Sequence, residues 1–153
     1  MAKVIIVYET KYGNTKLVAE KIIEGMREVG GIETTLSEIK DFDLNKLANY
    51  DAILIGSPNH IGGPTRGIKK FIDKLRKLSL SEKSFAVFDT YLGKDFEKAV
   101  KKMQKQINEK VPGSKIISPG LSIRVEGMKG PISEEELPKC IEFGKRIANL
   151  LKT

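Results

Sequence analysis

The sequence contains few of the residues that build covalent cross-links or metal sites. Its only cysteine is Cys140, its only histidine is His60, and it has no tryptophan. One cysteine cannot form a disulfide within the chain, and one histidine does not provide the ligand cluster of a structural metal site. We therefore expect no bound metal and a fold that is held together by its hydrophobic core.

Long hydrophobic runs are absent as well. The first apolar run, residues 4–7, is shorter than the apolar region of a signal peptide and far shorter than a membrane span. The total length of 153 residues is that of one ordinary domain. These features predict a single cytoplasmic domain, residues 1–153, that does not associate with membranes.

Negative charge is in the minority, because 27 Lys and Arg against 20 Asp and Glu give a formal net charge of +7. Clustered basic residues are typical of nucleic-acid binding. Here, however, Lys69, Lys70, Lys74 and Lys77 are interleaved with apolar residues at helical spacing, which is typical of the exposed face of a helix. We therefore do not expect nucleic acid to be the main partner, and an acidic protein is the better candidate.

Apolar residues follow two patterns along the chain, continuous runs and recurrence at helical spacing. Four continuous apolar runs are typical of strands that are buried on both faces of a parallel sheet, and a fifth, more polar segment favours an edge strand. Between them, apolar residues recur at helical spacing in four segments, of which the third begins at Phe96. Ser133 followed by Glu136 predicts a capping box at the start of the last helix. The predicted strands cover residues 4–8, 34–39, 52–55, 85–88 and 116–125.

Strands and helices that alternate in this way predict an α/β fold. The expected architecture is a three-layer α/β/α sandwich with helices on both faces of a parallel sheet. Ligands of such folds bind beyond the carboxyl ends of the strands. The functional residues are therefore expected in the loops that follow the first, third and fourth strands, counted along the chain.

The first loop, residues 10–15, is rich in hydroxyl, amide and unhindered backbone groups. Amide groups at the start of a helix have no partner within the helix, so they can bind a phosphate. The alternative is a helix cap in which Asn14 or Thr15 serves only the helix. With one glycine and no Gly-Lys-Ser/Thr, the loop is neither a dinucleotide fingerprint nor a triphosphate P-loop. It consists of Thr10, Lys11, Tyr12, Gly13, Asn14 and Thr15.

Three blocks of sequence, taken in order, resemble the flavodoxins. In that family the loop after the first strand has a Thr/Ser-x-Thr/Ser-Gly-x-Thr pattern. The resemblance covers nearly the whole chain and implies a five-stranded parallel sheet of order 2-1-3-4-5 and bound flavin mononucleotide (FMN). The matching blocks are residues 10–15, residues 50–58 with 63–64 and 71–72, and residues 129–132 with 143–145.

The resemblance implies that the first loop binds the phosphate of FMN. Tyr12 departs from the family pattern, which has a small hydroxyl residue there, so that one hydrogen bond is missing or Tyr12 turns outward. The second loop, residues 57–66, runs beside the isoalloxazine ring in this family. Alternatively, this segment is only a Gly-Pro turn that leads to a helix capped by Thr65. The candidate contacts in the second loop are Ser57, Pro58, Asn59, His60, Ile61, Gly62 and Gly63.

The third loop, residues 89–93, follows the fourth strand at the place where flavodoxins have a residue that stacks on the ring. Tyr91 is the candidate for this stacking, and the alternative is that it only covers the end of the sheet. His60 either couples electron transfer to pH or is a solvent-exposed loop histidine. The candidate contacts in the third loop are Asp89, Thr90, Tyr91 and Gly93.

The function implied by the resemblance is that of an FMN-binding electron carrier, which shuttles electrons between redox partner proteins. No nucleophile with an adjacent base and no pair of carboxylates stands out, so we expect no catalytic residue. Two alternatives remain open. One is a small NAD(P)H-dependent FMN or quinone reductase, which would be an FMN-dependent oxidoreductase, and the other is an interaction domain without flavin.

Overall fold

The computed structural model describes residues 1–152. Its strands alternate with helices along the chain, and short 3₁₀ segments precede or follow several of them. The strands are β1 (Ala2–Tyr8), β2 (Ile32–Glu38), β3 (Ala52–Pro58), β4 (Ser84–Tyr91), β5 (Lys115–Ile116) and β6 (Leu121–Arg124). The helices are α1 (Asn14–Val29), α2 (Arg66–Lys74), α3 (Lys98–Lys110) and α4 (Leu137–Lys152).

All strand pairs of the sheet are parallel, and the strand order is β2-β1-β3-β4-β5. This confirms the predicted order 2-1-3-4-5. The predicted single strand over residues 116–125 is wrong in one respect, since β5 pairs with the start of β4 and β6 with its end. Pro119 lies between the two segments and has no N–H to donate to a neighbouring strand, which interrupts the pairing.

Alternate residues of the central strands face opposite helix layers. Val4 and Ile6 pack with residues of α1 and α4, whereas Ile5 and Val7 pack with residues of α2 and α3. All four side chains are completely buried. The continuous apolar runs of the sequence therefore reflect a sheet that is covered on both faces, as predicted.

The helices α1 and α4 touch through their backbones. A side chain at Gly25 would collide with the carbonyl oxygen of Ile141, and one at Gly144 would collide with that of Ile22. Because only glycine leaves room for this contact, these two residues set the distance between the helices.

The helix surfaces that face solvent are basic and polar. Lys69, Lys70, Lys74 and Lys77 are all exposed, which confirms that they lie on the outer side of α2 and the turn after it. Among residues 1–152, no helix has both the length and the apolar character that crossing a membrane requires.

Two local predictions are wrong. Phe96 is not part of α3, because Glu97 has a left-handed backbone (φ 61°) and the helix begins after it. The expected capping box does not form either. The Ser133 hydroxyl donates to Glu126 (2.8 Å), and the Glu136 carboxylate accepts from the Arg124 N–H (3.0 Å). Glu136 therefore binds the end of β6, and Ser133 binds the segment after it, instead of capping the helix.

Candidate functional site

A cavity of about 510 Å³ lies at the carboxyl ends of β1, β3 and β4. This volume is in the range of pockets that bind cofactor-sized ligands. The cavity is lined by residues of the three predicted loops, by Asp95 just after the third loop, and by residues of the segment after β6. These residues are Thr10, Lys11, Tyr12, Asn14, Thr15, Pro58, Asn59, His60, Ile61, Thr65, Thr90, Tyr91, Leu92, Asp95, Val125 and Met128.

The start of α1 opens into this cavity without a side-chain cap. Gly13 has a left-handed backbone (φ 91°), and its N–H donates to the Thr10 hydroxyl (2.9 Å). Within the described chain, neither Asn14 nor Thr15 caps the helix, so the alternative that they serve only as caps is wrong. The first amide groups of α1 therefore point their positive ends at the cavity and are available to an anion.

The first loop is tied to β4 by a pair of hydroxyl groups. Thr15 is buried, and its hydroxyl oxygen lies 3.2 Å from that of Thr90. Tyr12 is 40% exposed, and the ammonium group of Lys11 lies 5.5 Å from the centre of its ring. The departure of Tyr12 from the flavodoxin pattern therefore places an aromatic ring at the outer wall of the cavity.

The second loop is held by a network of side-chain hydrogen bonds. The Ser57 hydroxyl accepts from the Thr65 N–H (2.9 Å) and donates to the Pro58 carbonyl (2.9 Å). The Thr65 hydroxyl caps α2 by accepting from the Ile68 N–H (3.2 Å), and it donates to the Glu9 carboxylate. Thr65 thus caps the helix, as one of the two interpretations predicts, and it also lines the cavity.

The tip of the second loop is a tight turn. His60 and Gly63 exchange two backbone hydrogen bonds of 2.6 and 3.2 Å, and the central residues Ile61 and Gly62 have φ of 50° and 74°. These values are those of a type I′ turn, which favours Asn and Gly because both central residues have positive φ. A β-branched residue such as Ile61 is strained there.

The third loop places an aromatic ring in the wall of the cavity. Tyr91 packs edge-on against Phe96, with ring centres 5.6 Å apart and an angle of 69° between the rings. This contact fixes the orientation of Tyr91. Burial raises the pKa of Tyr91, so that it stays a neutral, apolar surface at any physiological pH.

Asn59 connects the second and third loops and carries an unsatisfied acceptor. Its N–H donates to the Thr90 carbonyl (2.7 Å), and its side-chain amide donates to the Asp95 carboxylate (2.7 Å). The side-chain oxygen of Asn59 is buried and has no hydrogen-bond partner among the described residues. Buried polar atoms are normally paired, so an orphan in the wall of a cavity is expected where a ligand completes the site.

The structure brings most of the predicted site residues together, but not all. All six of the others belong to the loops that form the lining without being part of it: Gly13, Ser57, Gly62, Gly63, Asp89 and Gly93. The sequence prediction missed Thr65, Leu92, Asp95, Val125 and Met128.

Asp89 is buried beneath the third loop. Its carboxylate accepts hydrogen bonds from the Ser122 hydroxyl (2.6 Å) and the Val100 N–H (3.0 Å), and thereby holds the start of α3 against the sheet. Burial raises the pKa of Asp89 to about 7, although these hydrogen bonds oppose the shift. Asp89 is therefore a structural residue that lies behind the cavity wall.

We expect Asp89 to make the protein less stable as the pH rises. The unfolded chain loses this proton near the ordinary pKa of 3.8, whereas the folded protein keeps it to about pH 7. The contribution of Asp89 to the free energy of unfolding is therefore full below about pH 4, falls up to about pH 7 and is lost above it. Urea unfolding of the wild type and of Asp89→Asn tests this, because the variant lacks the decline. Curves that run parallel from about pH 4 to pH 8 would contradict the assignment.

Comparison with known proteins gives one consistent family. Residues 5–119 match the family model described as "Flavodoxin domain". A flavodoxin from Aquifex aeolicus (strain VF5) is 34% identical over 73 residues, which are 48% of this chain and 40% of that protein. The matched stretch thus spans less than half the length of that relative.

Solved structures resemble this chain over a longer range. A flavodoxin from the domain Archaea superposes with a TM-score of 0.84 and 27% identity, and the match covers 99% of each chain. Flavodoxin 2 from Bacillus cereus gives a TM-score of 0.81 and 29% identity, with 99% of this chain and 100% of that chain covered. The similarity therefore extends over all the strands and helices that surround the cavity.

Proposed function

Because this chain belongs to the flavodoxin domain family, we propose that it binds FMN in the cavity and carries electrons between redox partner proteins. The bound flavin supplies the chemistry, since it takes up and releases electrons reversibly. The observation that carries the proposal is the uncapped start of α1, which opens into a cavity large enough for a flavin.

The first loop fits a phosphate group without a buried cation. The free amide groups at the start of α1 and the positive end of the helix dipole attract a dianion. The Thr10 hydroxyl already accepts from Gly13, so its own hydrogen is free to donate, and the Asn14 side chain lines the cavity. Lys11 is exposed and approaches only as a mobile charge.

The second and third loops fit an aromatic ring. Tyr91, fixed by Phe96, offers a flat apolar wall, and Pro58 and the turn around Ile61 offer further apolar surface. Asn59 supplies an unpaired acceptor in this wall, which suits an N–H group on a ring. These residues orient the ring and exclude water from it.

The proposal is tested by loading the purified protein with FMN and reducing it in a potentiometric titration. We expect one flavin per chain, two separate one-electron steps, and no steady-state oxidation of NADPH by the protein alone. Oxidation of NADPH without a partner protein would instead favour the reductase. Failure to bind FMN would contradict the proposal altogether.

A further inference from the structure

Exposed apolar side chains are concentrated at the mouth of the cavity. Seven large hydrophobic side chains are more than about a third exposed among residues 1–152, and five of them lie at this mouth. Four of the five line the cavity, and Phe96 packs against Tyr91, which also lines it. We call these five residues the apolar rim: Tyr12 (40% exposed), Ile61 (92%), Leu92 (45%), Phe96 (56%) and Met128 (73%). Single exposed apolar residues are common, but a cluster around one opening marks an interaction site.

Ile61 is the most exposed member of the rim, and its backbone is strained at this position. Its positive φ of 50° is unfavourable for a β-branched residue, and its side chain buries almost nothing in return. Asn or Gly would satisfy the same turn without strain. Folding of this chain therefore does not explain an isoleucine at this position. Ile61 lines the cavity, but 92% of it remains exposed, so most of its side chain is available for contact with a partner.

Basic side chains surround the apolar rim. A Cβ atom at Gly63 would lie 3.2 Å from Cδ of Lys102, and one at Gly62 would lie 3.9 Å from Cδ of Lys98, so both lysines lie beside the turn that presents Ile61. Lys94 is exposed in the third-loop segment between Leu92 and Phe96, and Lys11 lies over the ring of Tyr12. We call these four residues the lysine frame: Lys11, Lys94, Lys98 and Lys102.

The carboxylates near the mouth do not cancel this charge. Asp95 is paired with Lys98 (2.9 Å) and also accepts a hydrogen bond from Asn59 (2.7 Å). Glu9 accepts a hydrogen bond from Thr65 and keeps its charge, but it is one carboxylate against several lysines. Glu97 is 24% exposed and lies 3.9 Å from Lys101, a lysine outside the frame. Within residues 1–152, Lys11, Lys94 and Lys102 take part in none of the ion pairs. Three of the four frame lysines thus keep their charge available to a partner.

We propose that the apolar rim and the lysine frame form the docking surface for an acidic redox protein that has an apolar patch around its own electron-transfer centre. The inference rests on the proposed function, because it places the partner at the cavity in which the flavin is bound. The lysines steer the encounter and raise the association rate, and the apolar contact excludes water and brings the two centres together.

Electron transfer to two haem proteins of opposite charge tests the proposal. The probes are the acidic soluble domain of cytochrome b5 and the basic cytochrome c, each mixed with the reduced, FMN-loaded protein in a stopped-flow instrument. At low ionic strength, Lys94→Glu with Lys102→Glu should slow the reduction of cytochrome b5 about tenfold or more and accelerate that of cytochrome c. Both effects should shrink as salt is added. The matched control is Lys46→Glu with Lys115→Glu, two exposed lysines at the opposite edge of the sheet, which should change either rate less than about twofold.

Binding without electron transfer separates this inference from the proposed function. Amide shifts of the ¹⁵N-labelled protein, with or without FMN, are followed as unlabelled cytochrome b5 is added. We expect shifts at residues 60–63, 92–98 and 128, and a several-fold weaker affinity for Ile61→Asn, whose melting temperature should not fall. Shifts spread along the outer lysines of α2, or equal rates for both lysine variants, would overturn the docking surface even if FMN binds as proposed.

Discussion

Replacing Asn14 by aspartate lowers the affinity for FMN by about two orders of magnitude and at the same time stabilises the protein without flavin. Asn14 is the first residue of α1 and lines the cavity. A carboxylate there interacts favourably with the helix dipole and contributes about 0.3–1 kcal/mol to the stability of the apoprotein. The same carboxylate repels the phosphate, by roughly 4 kcal/mol at about 4 Å and an effective dielectric constant of about 20, before screening by solvent.

Quenching of flavin fluorescence measures this effect for FMN and for riboflavin, which has no phosphate. The affinity for riboflavin should change little in Asn14→Asp, because only the phosphate meets the new charge. The matched control is Asn49→Asp, an exposed residue that precedes β3 at the opposite edge of the sheet and carries the same change of charge. Equal losses of affinity for FMN and riboflavin would show that the phosphate is not bound at the start of α1.

Replacing either Gly25 or Gly144 by alanine destabilises the protein by about 3 kcal/mol and lowers the melting temperature by roughly 10 °C. In an ordinary helix interior, alanine is about 1 kcal/mol more favourable than glycine. Here the added methyl group would enter the backbone of the neighbouring helix, at Ile141 for Gly25 and at Ile22 for Gly144. The helices have to move apart, and the core between them loses contact.

Urea unfolding and thermal melts of the two single variants and of the double variant measure this effect. Because both methyl groups push the same helices apart, the double variant should lose less than the sum of the two single losses. Asn149→Ala, at an exposed position of α4, is the control and should change the stability by no more than about 0.5 kcal/mol. A gain in stability for Gly25→Ala would contradict the close contact of α1 and α4.

The fold could be predicted from the sequence because the central strands are buried on both faces. Residues such as Ile5 and Ile6 face opposite helix layers, yet both must be apolar, and this produces a continuous run that no surface strand has. The prediction was wrong at Pro119 and Phe96. There the outcome depends on strand pairing and on one left-handed residue, Glu97, and not on periodicity.

The candidate site could be predicted only where its residues are adjacent in the sequence. The first loop is a continuous segment after a strand, so its polar residues and its glycine form one local pattern in the sequence. Val125 and Met128 reach the cavity from the segment after β6, and Asp95 reaches it through Asn59. These positions depend on how the elements pack, and no local pattern marks them. Asp89, in contrast, was predicted as a contact of the third loop, but it does not line the cavity. Its buried carboxylate turns inward and accepts a hydrogen bond from the start of α3.

The most direct measurement is a titration of the purified apoprotein with FMN and, in parallel, with riboflavin. We expect one FMN per chain and an affinity for riboflavin that is at least about a hundredfold lower, because the free amide groups of α1 bind the phosphate. Riboflavin binding as tightly as FMN, or no binding of either flavin, would contradict this expectation.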